Sequence, residues 1–190
     1  FSSGEIVFSS LDLIRKEFQV IGHRSIGLPH EYLNRHQIKP ERLIDLVKKF
    51  STLNVCVVGD LVIDEYITCE PLGMSQEDPT IVVTPVDSIR FVGGAGIVAE
   101  HAAGLGAKVQ LVSVTGNDEA RVFALANFVA AGVNAELLVD DSRPTTLKQR
   151  YRSKGKSLLR VSHLHQGAIA SLLQAQLLRT LEKALDSADV

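Results

Sequence analysis

Two runs set the terms for any fold this chain can adopt: VCVVGDLVIDEY (Val55–Tyr66) and FVGGAGIVAEHAAGLGA (Phe91–Ala107). Val55–Val58 has no polar side chain, the mark of a strand covered on both faces. From Leu61 to Ile67 the chain alternates, which puts Val62, Asp64 and Tyr66 on one side. In the second run paired glycines open a helix of small residues. Glycines let ligand and backbone approach closely, and a helix N-terminus offers unpaired N–H groups to polar or anionic ligand atoms. Acids leaving the first strand can then hold hydroxyl groups. The order of these parts points to an α/β fold with a pocket for a polyol or sugar.

Bulk properties narrow the field. A chain of 190 residues is enough for one ordinary domain, at roughly 100–200 residues each. A hydrophobic fraction of 45% and a charged fraction of 22% are those of a soluble globular protein. With a formal net charge of -2 and a pI near 6.3, nothing recommends nucleic acid or an anionic membrane as partner. No apolar run approaches the roughly 18 residues of a membrane span; Asn127 interrupts the nearest, Val122–Val133. Cys56 and Cys69 are too few for a disulfide framework, and Cys56, inside an apolar strand, suits a reducing, cytoplasmic setting. The first residue is Phe1, and Val190 follows Ser-Ala-Asp where a new buried strand would begin, so the chain reads as a segment of something longer.

Along the chain, Ser9 or Ser10 caps a short helix through Phe18, with Asp12 placed as in a capping box. Gln19–Ile38 has no clear period and reads as linker. Pro40 suits a first helical turn, and Leu43, Leu46, Val47 and Phe50 share a face expected to pack on the following sheet. Residues 1–50 therefore read as an attachment region, and 51–190 as the domain that carries the chemistry. Glu70–Pro79 is turn-rich and Thr80–Val86 strand-like, which predicts a hairpin. Gly93 opens the helix, Val109–Val114 is a second buried strand, Glu119–Ala131 a helix ended by Gly132, and Ala135–Val139 a third strand. Thr145–Tyr151 and Ser157–Val161 flank a plain hairpin turn. Gly167–Asp186 is amphipathic, with Leu173, Leu177, Leu181 and Leu185 expected on one stripe. Alternating strands and helices imply a mostly parallel sheet, and the two hairpins a small β-sheet beside it.

Gly94–Ala99 matches the GxGxxA dinucleotide fingerprint, and Asp118 lies about where a ribose-binding acid belongs. A dinucleotide-dependent oxidoreductase is thus a competing reading. Against it, the fingerprint normally follows the first strand of the fold, whereas Val55–Asp60 comes earlier. The plainer reading, that Gly96 and Ala99 permit close helix–sheet packing, ranks above it. Asp60 and Asp64 leave the first strand at its C-terminal end, where open α/β sheets bind ligands; Asp60, directly after Gly59, suits a turn, and Asp64 suits ligand hydroxyls. Lys148, Arg150 and Arg152 share a strand face, with Arg160 across the hairpin, and such a row either clamps a phosphate or faces solvent. His163 and His165 have no Cys or carboxylate to complete a metal site, and no metal is expected there. No nucleophile–base pair is detectable.

Taken together and in order, several runs resemble the ribokinase-like (PfkB) carbohydrate kinases, and most of all the heptose 7-phosphate kinase branch that feeds ADP-heptose synthesis. They are Val57–Tyr66, Ser75–Pro79, Gly93–Ala107, the Gly116–Asp118 turn, Thr145–Arg150 and Leu158–Arg160, within about Asn54 to Leu164. The resemblance implies a doubly wound, mostly parallel α/β sheet with a small β-sheet lid, truncated here. It implies transfer of the γ-phosphoryl group of ATP, with Mg²⁺, to a sugar or sugar phosphate, and a lid that can form a homodimer contact. By the same resemblance Asp64 binds sugar hydroxyls, Gly93 and Gly94 lie beside the sugar, and Lys148 and Arg150 meet a substrate phosphate. Two positions depart from the family: Ile97 stands where an Asn bonds the sugar, and Ser162 where an acid follows the arginine strand. The departure at Ile97 motivates a further reading, a catalytically inactive relative that only binds ligand. The family's catalytic Asp, in a Gly-Ala-Gly-Asp turn, is expected beyond Val190, so none of these residues is assigned a catalytic role and the segment alone is expected to be inert. Upstream, Glu5–Ile14 resembles the tail of a nucleotidyltransferase domain, although a capped helix explains it equally well.

Overall fold

The computed structural model describes residues 29–190; the helix expected from Ser9 and the Glu5–Ile14 resemblance lie outside the described residues. The chain divides into two contact units, residues 1–44 and 45–190. In the first, the stretch read as linker holds a short helix, α1 (His30–Arg35), with Glu31 in its first turn and Arg35 in its last, both complementing the helix dipole. None of its residues is buried. A second helix, α2 (Pro40–Lys49), begins at Pro40 as expected and runs across the boundary between the units. Its apolar stripe, expected to pack on the sheet, stays open: Leu43, Leu46 and Val47 are all exposed, and Phe50 is only half-buried. Helical spacing decides which side chains share a face; it does not decide what covers that face.

The second unit is built on two sheets. In the first, β1 (Asn54–Val58), β4 (Lys108–Thr115) and β5 (Val133–Val139) lie parallel in the order β1-β4-β5. Helices α3 (Ala95–Gly104) and α4 (Glu119–Ala131) connect them, and α5 (Ser171–Leu185) packs against β4 and β1. The core is continuous through Ile63, Leu111, Ala99, Ala124 and Phe128, all of them 0–1% exposed. Gly132 ends α4 with φ of 72°, a left-handed cap that a glycine adopts without strain. On α5 the inward face is Leu173, Leu177, Leu181 and Ala184, and Leu185 points to solvent. Eleven residues return to the starting face of a 3.6-residue helix where twelve overshoot it, so Ala184 replaces Leu185 in the stripe. The last residues run along the open edge of β1: Asp189 N donates to Asn54 O and Cys56 N donates to Val190 O, both at 2.8 Å.

The second sheet has the order β3-β2-β6-β7, made of β2 (Leu61–Met74), β3 (Ile81–Gly94), β6 (Thr146–Ser153) and β7 (Lys156–His163). Two antiparallel hairpins meet side by side through the parallel pair β2–β6. The β6–β7 turn carries positive φ at both Lys154 (47°) and Gly155 (78°), the two-residue form whose twist matches a hairpin. The first hairpin is longer than its sequence suggests. Irregularities at Thr68/Cys69 and Pro71/Gly73 carry the ladder through Pro71 and Gly73 to Met74, residues that read as turn. Helix α3 starts at Ala95, not Gly93, because Gly93 and Gly94 still pair with Val62 and Leu61. The result is the α/β architecture with a parallel sheet and a small β-sheet lid expected of the ribokinase-like fold.

Candidate functional site

Strand pairing decides which side chains can meet. In register, Asp64 lies between Phe91 and Lys148, and Tyr66 between Ile89 and Arg150; Thr68 adjoins Arg152 and Asp87. Beyond them Lys148 pairs with Ser162 and Arg150 with Arg160. One face of the lid therefore gathers two acids, Asp64 and Asp87, two aromatic rings and four cations. A cavity of about 660 Å³ opens on it, lined by Asp64, Tyr66, Thr68, Ile89, Phe91, Arg152, Lys154 and Gly155.

Asp64 is the fixed point of this face. Its carboxylate accepts a hydrogen bond from Arg150 Nη1 at 2.5 Å. Its other oxygen lies 2.6 Å from where a Cβ on Gly93 would be, so only glycine leaves room for it. Gly94 follows with φ of 58°, and a Cβ there would come within 2.3 Å of Asp60 O. Ala95 N donates to that same carbonyl at 2.9 Å, which closes the strand-to-helix corner. The Tyr66 ring carries two guanidinium groups, those of Arg150 and Arg152, 5.0 and 5.7 Å from its centroid, and meets Phe91 edge-on at 5.8 Å.

The opposite face of the same strand is closed. Glu65 is 4% exposed among Ile63 and Ile67. Arg90 Nε donates to its Oε1 at 2.8 Å and Gln149 Nε2 to its Oε2 at 2.7 Å. Burial works to raise its pKa; the hydrogen bonds from Gln149 and Arg90 and the Arg90 charge outweigh it and hold the carboxyl below the ordinary Glu value.

The structure brings together five residues that the sequence singled out, Asp64, Gly93, Gly94, Lys148 and Arg150, at one end of the lid. Asp60 stays apart, exposed and beside a second cavity of about 320 Å³ at the ends of β1 and β4, which also holds Arg143 and His165. Asp118 is a structural acid: one oxygen caps α4 at Arg121 N (3.0 Å) and the other accepts from Thr145 N (2.8 Å). Against burial, which raises its pKa, these backbone hydrogen bonds leave it below the usual Asp value. A Cβ on Gly96 would strike Val92 Cγ1 at 2.3 Å and Leu61 Cδ1 at 2.7 Å. The GxGxxA run thus spends its central glycine on packing. His163 meets Gln149 (3.1 Å) while His165 sits against Gly167. Among the described residues no three His, Cys, Asp or Glu side chains gather as an all-protein cation site would require. Ile97 is half-buried in the first turn of α3.

Tyr66 was legible only as sharing the Asp64 face, and Phe91 and Lys154 were not legible as site residues, although the parity of Phe91 with Gly93 on one strand was available. Glu65, Arg90 and Gln149 were missed as well, and the signal was an acid at an inward position between two isoleucines.

With this geometry in place, likeness to known proteins becomes decisive. Residues 52–190 match the profile of the pfkB family carbohydrate kinases. The chain belongs to that family. Among curated relatives, the bifunctional protein HldE of Caulobacter vibrioides is 38% identical over 154 residues, covering 79% of this chain and 31% of that protein. HldE of Desulfatibacillum aliphaticivorans is 34% identical over 145 residues, covering 76% and 30%. The pfkB chain thus spans about a third of the length of these relatives. Two solved structures share its fold: one described as a sugar kinase, from Clostridium perfringens (TM-score 0.55, 16% identity, 72% of this chain and 42% of that one). The other is described as a phosphofructokinase, from Staphylococcus aureus (TM-score 0.51, 14% identity, 68% and 39%). Among the described residues of the pfkB chain, no helix is long and apolar enough to cross a membrane.

Proposed function

We propose that this chain is the sugar-binding N-terminal part of an ATP-dependent carbohydrate kinase acting on a sugar phosphate of the heptose-phosphate kind. One observation carries the reading: Asp64, pressed against Gly93, lines the same cavity as Arg152 and Lys154. The carboxylate accepts hydrogen bonds from sugar hydroxyls, and the cations take the phosphate through charge-assisted bonds. Lys148 and Arg150 extend the cationic row toward Asp64. ATP with Mg²⁺ would supply the phosphoryl group. The work of these residues is to bind and orient the acceptor, since such transfer depends on positioning and charge stabilisation. None of these residues is given the role of catalytic base. Exposed Leu72, Met74, Ile81 and Val82 on the long hairpin favour a homodimer through the lid. The protein's place is the cytoplasm, which suits its free cysteines, Cys69 buried and Cys56 with its thiol pushed up by burial.

A second reading, an inactive ligand-binding relative, is favoured by Ile97, which offers no hydrogen bond where a polar side chain would. The test is ADP release by the full chain with heptose 7-phosphate, beside calorimetric binding of that sugar phosphate and of NAD. Binding with turnover supports the kinase, and binding without turnover supports the inactive relative. Tight NAD binding lost on Gly96→Val would sink both.

A further inference from the structure

The Asp64 carboxylate, although it lines the cavity, is already engaged. Arg150 Nη1 already occupies its Oδ1, with the two side chains 26% and 24% exposed, and its second oxygen is pressed against Gly93. Arg150 in turn shares the Tyr66 ring with Arg152. Lys148 and Arg160 stand in register on either side. Along this face Asp64 and Asp87 are the acids set against four cations, and Asp87 lies at the far side of Thr68. The carboxylate assigned to sugar hydroxyls is therefore also the counter-charge of the cationic row.

We infer that Arg150 determines specificity by making access to Asp64 conditional on an anion. This rests on the sugar-kinase reading above. A neutral sugar reaches the carboxylate only by displacing the guanidinium. That breaks a charge-assisted hydrogen bond and leaves Arg150 beside Arg152 without its counter-charge. A phosphorylated sugar brings a counter-charge with it. Its phosphate draws Arg150 across the Tyr66 ring toward Arg152 while its hydroxyls take the vacated carboxylate. For that ligand the number of ion pairs is conserved; for the neutral one it falls by one. The ligand class is a polyhydroxylated monophosphate, and the discrimination is against the same sugar without its phosphate.

The experiment is calorimetric titration of the full chain, wild type and with Arg150→Gln or Arg150→Lys, using heptose 7-phosphate and free heptose. Wild type favours the phosphate. In Arg150→Gln free heptose binds about threefold to fivefold more tightly, because a partly exposed ion pair no longer competes. Heptose 7-phosphate binds about tenfold or more weakly, having lost a charged hydrogen-bond partner. Arg150→Lys keeps the charge without the planar fork and restores part of the preference. Opposite movement of the two ligands is not what a loosened fold produces, since loosening weakens both. Equal weakening of both, or an unchanged preference, overturns the inference and leaves the sugar-kinase reading standing. No binding of either ligand to any of the three proteins removes that reading and the inference with it.

Discussion

Asp64 and Glu65 are neighbours on β2, and each meets an arginine, yet the two pairs live in different surroundings. Glu65 points into the protein, 4% exposed, with Arg90 on one oxygen and Gln149 on the other. Asp64 points into the open cavity, a quarter exposed, and shares Arg150 with an aromatic ring. A strand alternates faces at every residue, so one peptide bond separates a structural ion pair from a ligand-facing one. The inner pair is satisfied in the folded chain and has nothing to gain from a ligand. The outer pair belongs to a row with surplus positive charge, which an anion can complete.

The sharpest way to break this contrast is substitution on the outer face. Asp64→Ala should lower affinity for heptose 7-phosphate by about a hundredfold, the loss of hydrogen bonds to a charged acceptor. Stability should change by less than about 1 kcal/mol, since the ion pair it removes is partly exposed. Calorimetry and urea unfolding on one preparation check both halves. The inner face should do the reverse. Glu65→Ala removes a buried carboxylate that accepts two partly buried hydrogen bonds and should cost about 2 kcal/mol of stability, visible as an earlier unfolding midpoint. Its ligand affinity, measured where both proteins are folded, should stay within about threefold of wild type.

Acid titration sharpens the contrast further. The Glu65 pKa is lowered in the folded state. Its contribution to stability is therefore present above the ordinary Glu range and lost as pH falls through the lowered folded value. Wild type should lose more stability than Glu65→Gln between roughly pH 5 and 3, while Asp118, lowered in both proteins, contributes equally to each. Parallel curves for the two proteins would mean that Glu65 is not held as the structure shows. The smallest effect is expected on α5. Leu185→Gln should change stability by less than about 0.5 kcal/mol because Leu185 is 54% exposed, whereas Ala184→Leu puts a larger side chain at a position only 3% exposed and should cost about 1–3 kcal/mol.

The parallel layer was readable because its strands carry short apolar runs, Val55–Val58 and Leu111–Val112 among them, and α4 ends on a local stop signal, Gly132. The lid was readable as two hairpins, but not its joining into one sheet, because the β2–β6 pairing links residues more than eighty positions apart. Asp64, Gly93 and Gly94 were singled out from motif, parity and resemblance, and the structure puts Gly93 against the Asp64 carboxylate. The ion pair with Arg150 was not, since parity says only that two side chains share a face and not which partners they choose. The open stripe on α2 and the outward Leu185 show the same limit: periodicity fixes faces, and packing alone decides whether a face is covered.

The most direct test of the account is an experimental structure of the full chain with heptose 7-phosphate bound. Sugar hydroxyls should lie on the Asp64 carboxylate, the phosphate between Arg150 and Arg152, and the Asp64–Arg150 bond should be broken. A ligand lodged beside Asp60 and Arg143 at the strand ends, with Asp64 still bound to Arg150, would contradict it.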